Sequence, residues 1–354
     1  MIKNSYNVIG VMSGTSLDGV DLAYITFKKE SQWKFQIHMA ETIPYNDDWL
    51  KILKQLLHFD INELRQMDTD YTLYLSTIIH QFITKHRIQS LDAVCSHGHT
   101  ALHQPEKGLT YQIGNLPNIA KLVNQIVVCD FRVADVMLGG QGAPLVPIGD
   151  VLLFSNFDFC LNLGGFANIS TTIDNERIAY DICPVNIVLN HYINQLGLNY
   201  DDKGRVASTG IIHKELLVQL NALEFYKRRY PKSLGIEWVV NQIFPLIDSF
   251  KLSTADILRT FTEHIAIQIS NEINTKQNAT VLTTGGGAYH DFLIDRLQSH
   301  TKNTIMIPDK EIVEFKESLI FGLLGVLKLR GEVNCLQSVT GAKVNHSSGE
   351  IYNP

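Results

Sequence analysis

The sequence predicts an α/β chain folded as two domains or one bilobed unit. Three observations predict it. Apolar, strand-like runs recur beside helix-length amphipathic segments. Three of those runs lead directly into glycine-rich turns, GTSLDG at 14–19, GG at 164–165 and GGG at 285–287. The length of 354 residues exceeds one ordinary domain and falls short of three. In open α/β sheets ligands sit where turns leave the carboxyl ends of strands, so the glycine turns are where function is expected.

Taken in order, Tyr6 to Met12 and Val20 to Phe27 read as two buried strands flanking the first turn, and KFQIHMAETI alternates like a third. Asp47 to Lys85 reads as helical, with Leu50, Ile52, Leu53, Leu56 and Leu57 near one face. LDAVCSHG (91–98) reads as a strand running into a polar turn, and QIVVCDF (125–131) as a strand with a polar end. GGQGAPLVP (139–147) is dense in Gly and Pro, which places a domain boundary near 145. Beyond it, FDFCLNLGGFANISTT (157–172) reads as strand, glycine turn and strand. The stretch 203–263 is helix-rich, and ATVLTTGGGAYHDFLIDRL (279–297) reads as strand, triple-glycine turn and helix. ESLIFGLLGVLKLRG (317–331) reads as a buried helix opened by Glu317.

Composition narrows the function. The net charge of -6 argues against a nucleic-acid partner, because phosphate-backbone binding needs a basic surface. It leaves room for a single nucleotide, which a few backbone amides can hold. No run reaches 18 uninterrupted apolar residues, so no membrane span is expected. The N-terminus lacks the basic, apolar and small-residue pattern of a signal peptide. Cys95, Cys129, Cys160, Cys183 and Cys335 are scattered and lack CxxC spacing. They read as buried small hydrophobes of a cytoplasmic protein, with no structural zinc site.

Each glycine turn alone fits a plain turn, with Gly relieving the backbone and Ser or Thr bonding locally. The first turn is neither GxxxxGK[ST] nor GxGxxG. Small residues in succession nevertheless leave backbone N–H groups open to form an anion-binding concavity. Gly14, Thr15, Ser16, Leu17, Asp18, Gly19, Val20 and Asp21 are therefore candidates for phosphate binding. Asp18 or Asp21 can hold a water on Mg²⁺, which favours carboxylate oxygens and its own waters. Gly164, Gly165 and Asn168 form a second candidate turn, and Gly285, Gly286 and Gly287 a third, where a flat ring can approach the backbone.

Two hairpin turns of this kind, followed late in the chain by a strand–GGG–helix element, resemble the sugar kinase and actin superfamily, whose two lobes share a nucleotide in the cleft between them. VIGVMSGTSLDGVDLA, SHGHTALHQP, DFRVADVMLGGQGAPLVP, LNLGGFANIS, TTGGGA and SVTGA are similar, along nearly the whole chain, to the anhydro-N-acetylmuramic acid kinases. The resemblance implies a bilobed actin-like (ribonuclease H-like) fold of two mixed-sheet domains. One lobe would hold about 1–145 and 325–354, the other 146–324.

That family uses ATP and Mg²⁺ to open 1,6-anhydro-N-acetylmuramic acid with water and to phosphorylate O6, giving N-acetylmuramic acid 6-phosphate in cell-wall recycling. Carried over, Asp181 in AYDICPVN is the base that activates water, and Glu317 steadies the water or the sugar. His97 and Thr100 contact the sugar, Arg132 grips its lactyl carboxylate with a guanidinium fork, and Asp135 lies beside it. A metal ion would be held by Asp18 through water. A homodimer is possible, as the family tends to dimers.

Three departures from the family pattern carry expectations. Ile182 and Cys183 replace a Thr-Gly pair; a positive φ inherited from that glycine would strain Cys183 by ~1–3 kcal/mol. His99 replaces a common Gln, creating an HxH whose alternate residues would share a strand face. PKSLGIEW (231–238) carries Leu234 and Ile236 in place of Thr and Arg, and reads as structural. Two other functions remain open at this point: a kinase for a different amino sugar on the same fold, and a nucleotide-binding homologue without turnover.

Overall fold

The computed structural model describes residues 2–14 and 17–354. It divides into two compact units: residues 1–153 with 315–354, and residues 154–314. The first transition falls later than the boundary near 145 that the glycine-proline segment indicated, and the second earlier than the 325 that the resemblance implied. The reason is packing. The helix Pro147–Leu153 lies against the C-terminal helix, so closely that a Cβ on Gly149 would sit 2.6 Å from Ile320. The C-terminal helix Lys310–Arg330 breaks its helical geometry at Phe315, where the chain returns to the first unit. Glu317 therefore lies inside this helix, just past the break, and does not open it.

The first unit is built on β1 (Ser5–Ser13), β2 (Val20–Lys29), β3 (Trp33–Ile43), β4 (Ala93–Gln104), β5 (Leu109–Ile113) and β6 (Val127–Cys129). The second holds β7 (Phe159–Leu163), β8 (Phe166–Ile173), β9 (Glu176–Pro184), β10 (Thr280–Thr284) and β11 (Thr304–Met306). A last strand, β12 (Glu350–Tyr352), returns to the first sheet. In the first sheet β3, β2 and β1 form an antiparallel meander, followed by β4 and β6 parallel to β1. In the second, β9, β8 and β7 form the meander, and β10 and β11 follow in parallel. Both sheets thus follow the same path, an antiparallel three-strand meander continued by two parallel strands; in the first, β5 pairs antiparallel to β4 off this path and β12 adds beyond β6.

Continuous apolar strands such as β1 follow from burial on both faces. One face of the first sheet packs Ile9, Val11 and Val94 on Tyr71, Leu75, Ile79 and Phe82 of the helix Ile61–Lys85. The other receives the C-terminal helix at very close range. A Cβ on Gly10 would stand 1.8 Å from the Ser318 carbonyl oxygen, and one on Gly325 2.1 Å from Cys95 Sγ. In the second unit the helix Thr254–Ile273 is the central apolar support, contributing Phe261, Ile265 and Ile269.

Three local expectations change. The helical stretch 47–85 is two helices, Asp47–Gln55 and Ile61–Lys85, because Asp60 and Glu63 form a capping box that starts the second. Leu57 consequently leaves the apolar face and is exposed. The strand from Ala93 does not turn at SHG; it continues to Gln104, with Gly98 at φ 71° and a register shift between Val11 and Ser13 of its partner. That irregularity breaks the alternation of HxH. His97 lies 4.7 Å from the Phe321 ring of the C-terminal helix, while His99 lies by Tyr71 of the helix on the other face.

Candidate active site

The candidate residues fall into two groups, one in each unit. In the second unit β7 and β8 meet at Gly164 and Gly165. The carbonyls of these glycines accept the backbone N–H groups of Asn186 and Val185, at 3.3 and 2.8 Å, which fixes the start of the helix Asn186–Ile193. The triple glycine leaves β10 and packs onto the same hairpin. Gly285 has φ 82° and ψ 165°, and a Cβ there would lie 2.5 Å from Asn162 Oδ1 and 2.9 Å from the Leu163 carbonyl. The second and third candidate turns are therefore one local structure.

Gly165 and Gly286 stand apart within it. Neither has positive φ, and an added Cβ would meet nothing closer than Ile187 Cβ at 4.0 Å and Asn186 Nδ2 at 3.8 Å. Gly14 aside, every other glycine has positive φ or a neighbour within 3.3 Å of that Cβ position. The protein's own packing gives no reason for glycine at 165 and 286.

Across the same sheet, register places Thr284, Asn162, Asn168 and Asp181 in one row over four strands. Asn168 is exposed and Asp181 half-buried. A bulge opposite Ala167 and Asn168 absorbs Ile182, so Cys183 stays in extended strand with no positive φ. The strain expected at Cys183 is therefore absent; both replacing residues are buried apolar positions.

PKSLGIEW is what holds Asp181. The Asp181 N–H donates to the Lys232 carbonyl at 3.1 Å, and the Leu234 N–H donates to Asp181 Oδ2 at 2.8 Å. Lys232 is buried against Glu272, 3.0 Å away, and Glu272 also accepts the Tyr180 hydroxyl at 2.8 Å. Burial pushes the Asp181 carboxyl above the usual carboxylate range, against the pull of the Leu234 hydrogen bond. A carboxylate made more basic this way suits proton abstraction better than an exposed one.

In the first unit Thr15 and Ser16 lie outside the described residues. The rest of the hairpin turn has Leu17 at φ 61° and Gly19 at φ 159°, with Asp18 exposed. Val20 and Asp21 belong to β2; Asp21 accepts the Thr42 hydroxyl at 2.6 Å, and its carbonyl accepts that of Ser318 at 3.2 Å. Directly before Gly14, Ser13 Oγ lies 2.6 Å from the Tyr45 hydroxyl, 2.5 Å from that of Tyr71 and 3.0 Å from His99 Nδ1. The two tyrosine hydroxyls are 2.8 Å apart. Three hydroxyls in a ring use all three of their protons on one another, so His99 must supply its Nδ1–H. Burial lowers the His99 pKa to about 4, which keeps the ring neutral. His99 is thus a support beneath the turn.

Arg132 Nε donates to His97 Nε2 at 2.8 Å, and Arg132 Nη1 to the Gly142 carbonyl at 2.7 Å. His97 then carries its proton on Nδ1, 2.8 Å from the Gly98 carbonyl. Burial, then the Arg132 charge, hold His97 well below the usual imidazole range. Burial lowers Arg132 itself to about 10, opposed by Glu317. Glu317 is exposed, yet desolvation raises its carboxyl, opposed by the charges of Arg132 and Lys316. Lys316 forms a buried 2.7 Å ion pair with Asp150, which sequence reading did not find. Thr100 lies opposite Gln112 between β4 and β5, half-buried.

Asp135 departs from its expected place among the sugar contacts. It has no exposed surface. Its Oδ2 accepts the Gly142 N–H at 2.7 Å and its Oδ1 the Thr340 hydroxyl at 2.6 Å, joining GGQGAP to SVTGA. In DFRVAD the charged pair Arg132 and Asp135 gave no sign that one member points inward.

Two sheets that share this meander-then-parallel path, each opening on a hairpin that turns at small residues, have the mixed-sheet, actin-like α/β fold expected of the sugar-kinase class. Comparison with known proteins makes this specific. Residues 6–354 match the profile of the family described as Anhydro-N-acetylmuramic acid kinase. An anhydro-N-acetylmuramic acid kinase of Mannheimia succiniciproducens is 33% identical, over 99% of this chain and 100% of its own. One from Pseudomonas syringae pv. tomato is also 33% identical, over 97% and 98%. The chain belongs to the anhydro-N-acetylmuramic acid kinase family, enzymes that transfer a phosphoryl group to an alcohol acceptor. Among solved structures, an activator of 2-hydroxyisocaproyl-CoA dehydratase from Clostridium difficile with bound ADPNP aligns over 92% of this chain and 96% of its own. Its identity is 11% and its TM-score 0.47, too low to carry an inference about ligand or chemistry. Among the described residues no helix is long and apolar enough to cross a membrane.

Proposed function

We propose that this chain is an ATP-dependent kinase for 1,6-anhydro-N-acetylmuramic acid. The observation that carries the chemistry is Asp181: a carboxylate raised by burial, held by the Leu234 N–H, in the same strand-end region as the glycine turns. In the reaction water adds to the anomeric carbon, Asp181 takes its proton, and the bond from that carbon to O6 breaks. The freed O6 takes the γ-phosphoryl group of ATP, leaving ADP and N-acetylmuramic acid 6-phosphate. Phosphoryl transfer depends mainly on positioning and on stabilising charge.

Gly164, Gly165 and Gly285 to Gly287 fit a nucleotide, because Gly165 and Gly286 present bare backbone that a Cβ would cover. The turn Gly14 to Asp21 is the second phosphate contact in this reading, with Asn168 beside the first. Asp18, exposed and acidic, fits a magnesium ion held through water better than Asp21, which is tied to Thr42. Magnesium would offset phosphate charge. Arg132, pinned through Nε and Nη1, is the cation for the lactyl carboxylate; His97 orients it, and Glu317 and Thr100 contact sugar or water. Asp135 acts through Gly142 as a positioning residue. The setting is a cytoplasmic one, in peptidoglycan recycling.

ADP release from purified protein with ATP, Mg²⁺ and the anhydro sugar tests this. Turnover with that sugar and none with N-acetylglucosamine supports it. Turnover only with another sugar, or nucleotide binding without turnover on either, overturns it.

A further inference from the structure

In the first unit, near enough to Arg132 for Asp135 and Cys335 to act on its charge, Asp135, Cys335 and His346 converge. Their ligand atoms all lie within 4.8 Å of one another. We propose that these three side chains form a site for a thiophilic divalent cation, zinc being the best fit. The site would fasten the C-terminal segment to the loop that holds Arg132.

Geometry is the first support. Asp135 Oδ1 is 3.4 Å from Cys335 Sγ and 3.6 Å from His346 Nε2. Ordinary zinc bond lengths to oxygen, sulfur and nitrogen give tetrahedral edges of roughly 3.3–3.6 Å. Two of the three edges already have that length. Cys335 and His346 are held opposite each other by reciprocal backbone hydrogen bonds, both 3.1 Å, so their spacing is set by the main chain.

The histidine gives the second support. His346 Nδ1 faces the Val344 carbonyl at 3.0 Å, which fixes the proton on Nδ1 and leaves a lone pair on Nε2. Only a tenth of the side chain is exposed, and Nε2 is buried with no hydrogen-bond partner. It points at a carboxylate oxygen, which has no proton to offer. A cation between the two resolves that opposition.

The surroundings fit as well. Oδ1 accepts the Thr340 hydroxyl and Oδ2 the Gly142 N–H, so the outer contacts that orient a ligating carboxylate are in place. Binding would release the Cys335 thiol proton, now directed at Oδ1, and put the metal in its stead. Thiolate, carboxylate and a neutral imidazole around a divalent ion sum to zero charge, as a buried site requires. Three protein ligands leave one position for water. Magnesium, which demands octahedral oxygen, does not suit this set. CxxC spacing gave no hint of it, because the ligands come from residues 135, 335 and 346.

The test uses the full chain, stripped with a chelator and titrated with zinc and, separately, cobalt. The expected result is one ion per chain, undisturbed by excess magnesium, with near-ultraviolet thiolate-to-cobalt absorption. Cys335→Ser should remove that absorption. His346→Gln should weaken binding by more than about 100-fold, and Thr340→Val by the ~10–100-fold typical of outer contacts. Far-ultraviolet circular dichroism checks that each variant folds. No stoichiometric zinc at micromolar concentration in the unaltered chain overturns the proposal without recourse to any variant. So does cobalt binding that lacks the thiolate band or survives both ligand substitutions.

Discussion

Gly165 and Gly286 offer a way to separate binding from folding. In Gly286→Ala the new methyl would meet only Asn186 Nδ2 at 3.8 Å, and in Gly165→Ala only Ile187 Cβ at 4.0 Å. Both are ordinary contacts, and neither residue has positive φ. Stability should hold or rise by about 0.4–1 kcal/mol, because alanine narrows the unfolded chain. A nucleotide lying on that backbone would instead be pushed away. Overpacking by one methyl costs about 1–3 kcal/mol, or roughly 5- to 150-fold in affinity. Gly285→Ala is the contrasting case: φ 82° and a 2.5 Å approach to Asn162 Oδ1 should strain the fold by at least about 1–3 kcal/mol. The assay is calorimetric titration with a non-hydrolysable ATP analogue, beside denaturant unfolding of each variant. Wild-type affinity in both Gly165→Ala and Gly286→Ala would refute the placement of nucleotide at these turns.

Two further substitutions probe the support of each unit. Tyr71→Phe removes one member of the hydroxyl ring under the first turn and should cost about 1–2 kcal/mol in denaturant unfolding; a neutral result would mean the ring is not closed as described. In the second unit, burial alone would raise Glu263, but hydrogen bonds from Arg296, Arg259 and His300 hold it at about 2, below its ordinary 4.5. A depressed carboxyl stabilises the fold above its unfolded pKa, and that gain is lost as pH falls from about 4.5 towards 2. Glu263→Gln should therefore be less stable by about 3 kcal/mol at neutral pH, with the gap closing under pH 4; a gap independent of pH would contradict it.

Much of the site was legible because its signals are local. A run of apolar residues ending in Gly-Gly or Gly-Gly-Gly marks a strand end whatever the rest of the chain does, and both turns lie where the sequence put them. What sequence could not carry was contact at a distance. Nothing near Asp181 says that Lys232 and Leu234 will bond it, since that strap arrives from fifty residues away. The family's glycine at position 183 raised the expectation of strain at Cys183; the bulge at Ile182 shows how the strand keeps its course without it. The strand through SHGHT was misread as a turn because polar residues dominate it, yet both histidines are buried by elements far along the chain. Asp60 and Glu63 are a different case: the capping box was in the sequence and would have split the long helix correctly.

The central claim is that Asp181 activates water, and one measurement tests it most directly. Asp181→Asn should keep the wild-type affinity for the ATP analogue while turnover of the anhydro sugar falls ~10²–10⁴-fold. In the unaltered enzyme kcat/KM should fall on the acid side along a limb set by a carboxyl above the usual range, because the base works only when deprotonated. The variant should lose that limb. Normal turnover by Asp181→Asn, with the same acid limb, would contradict the account.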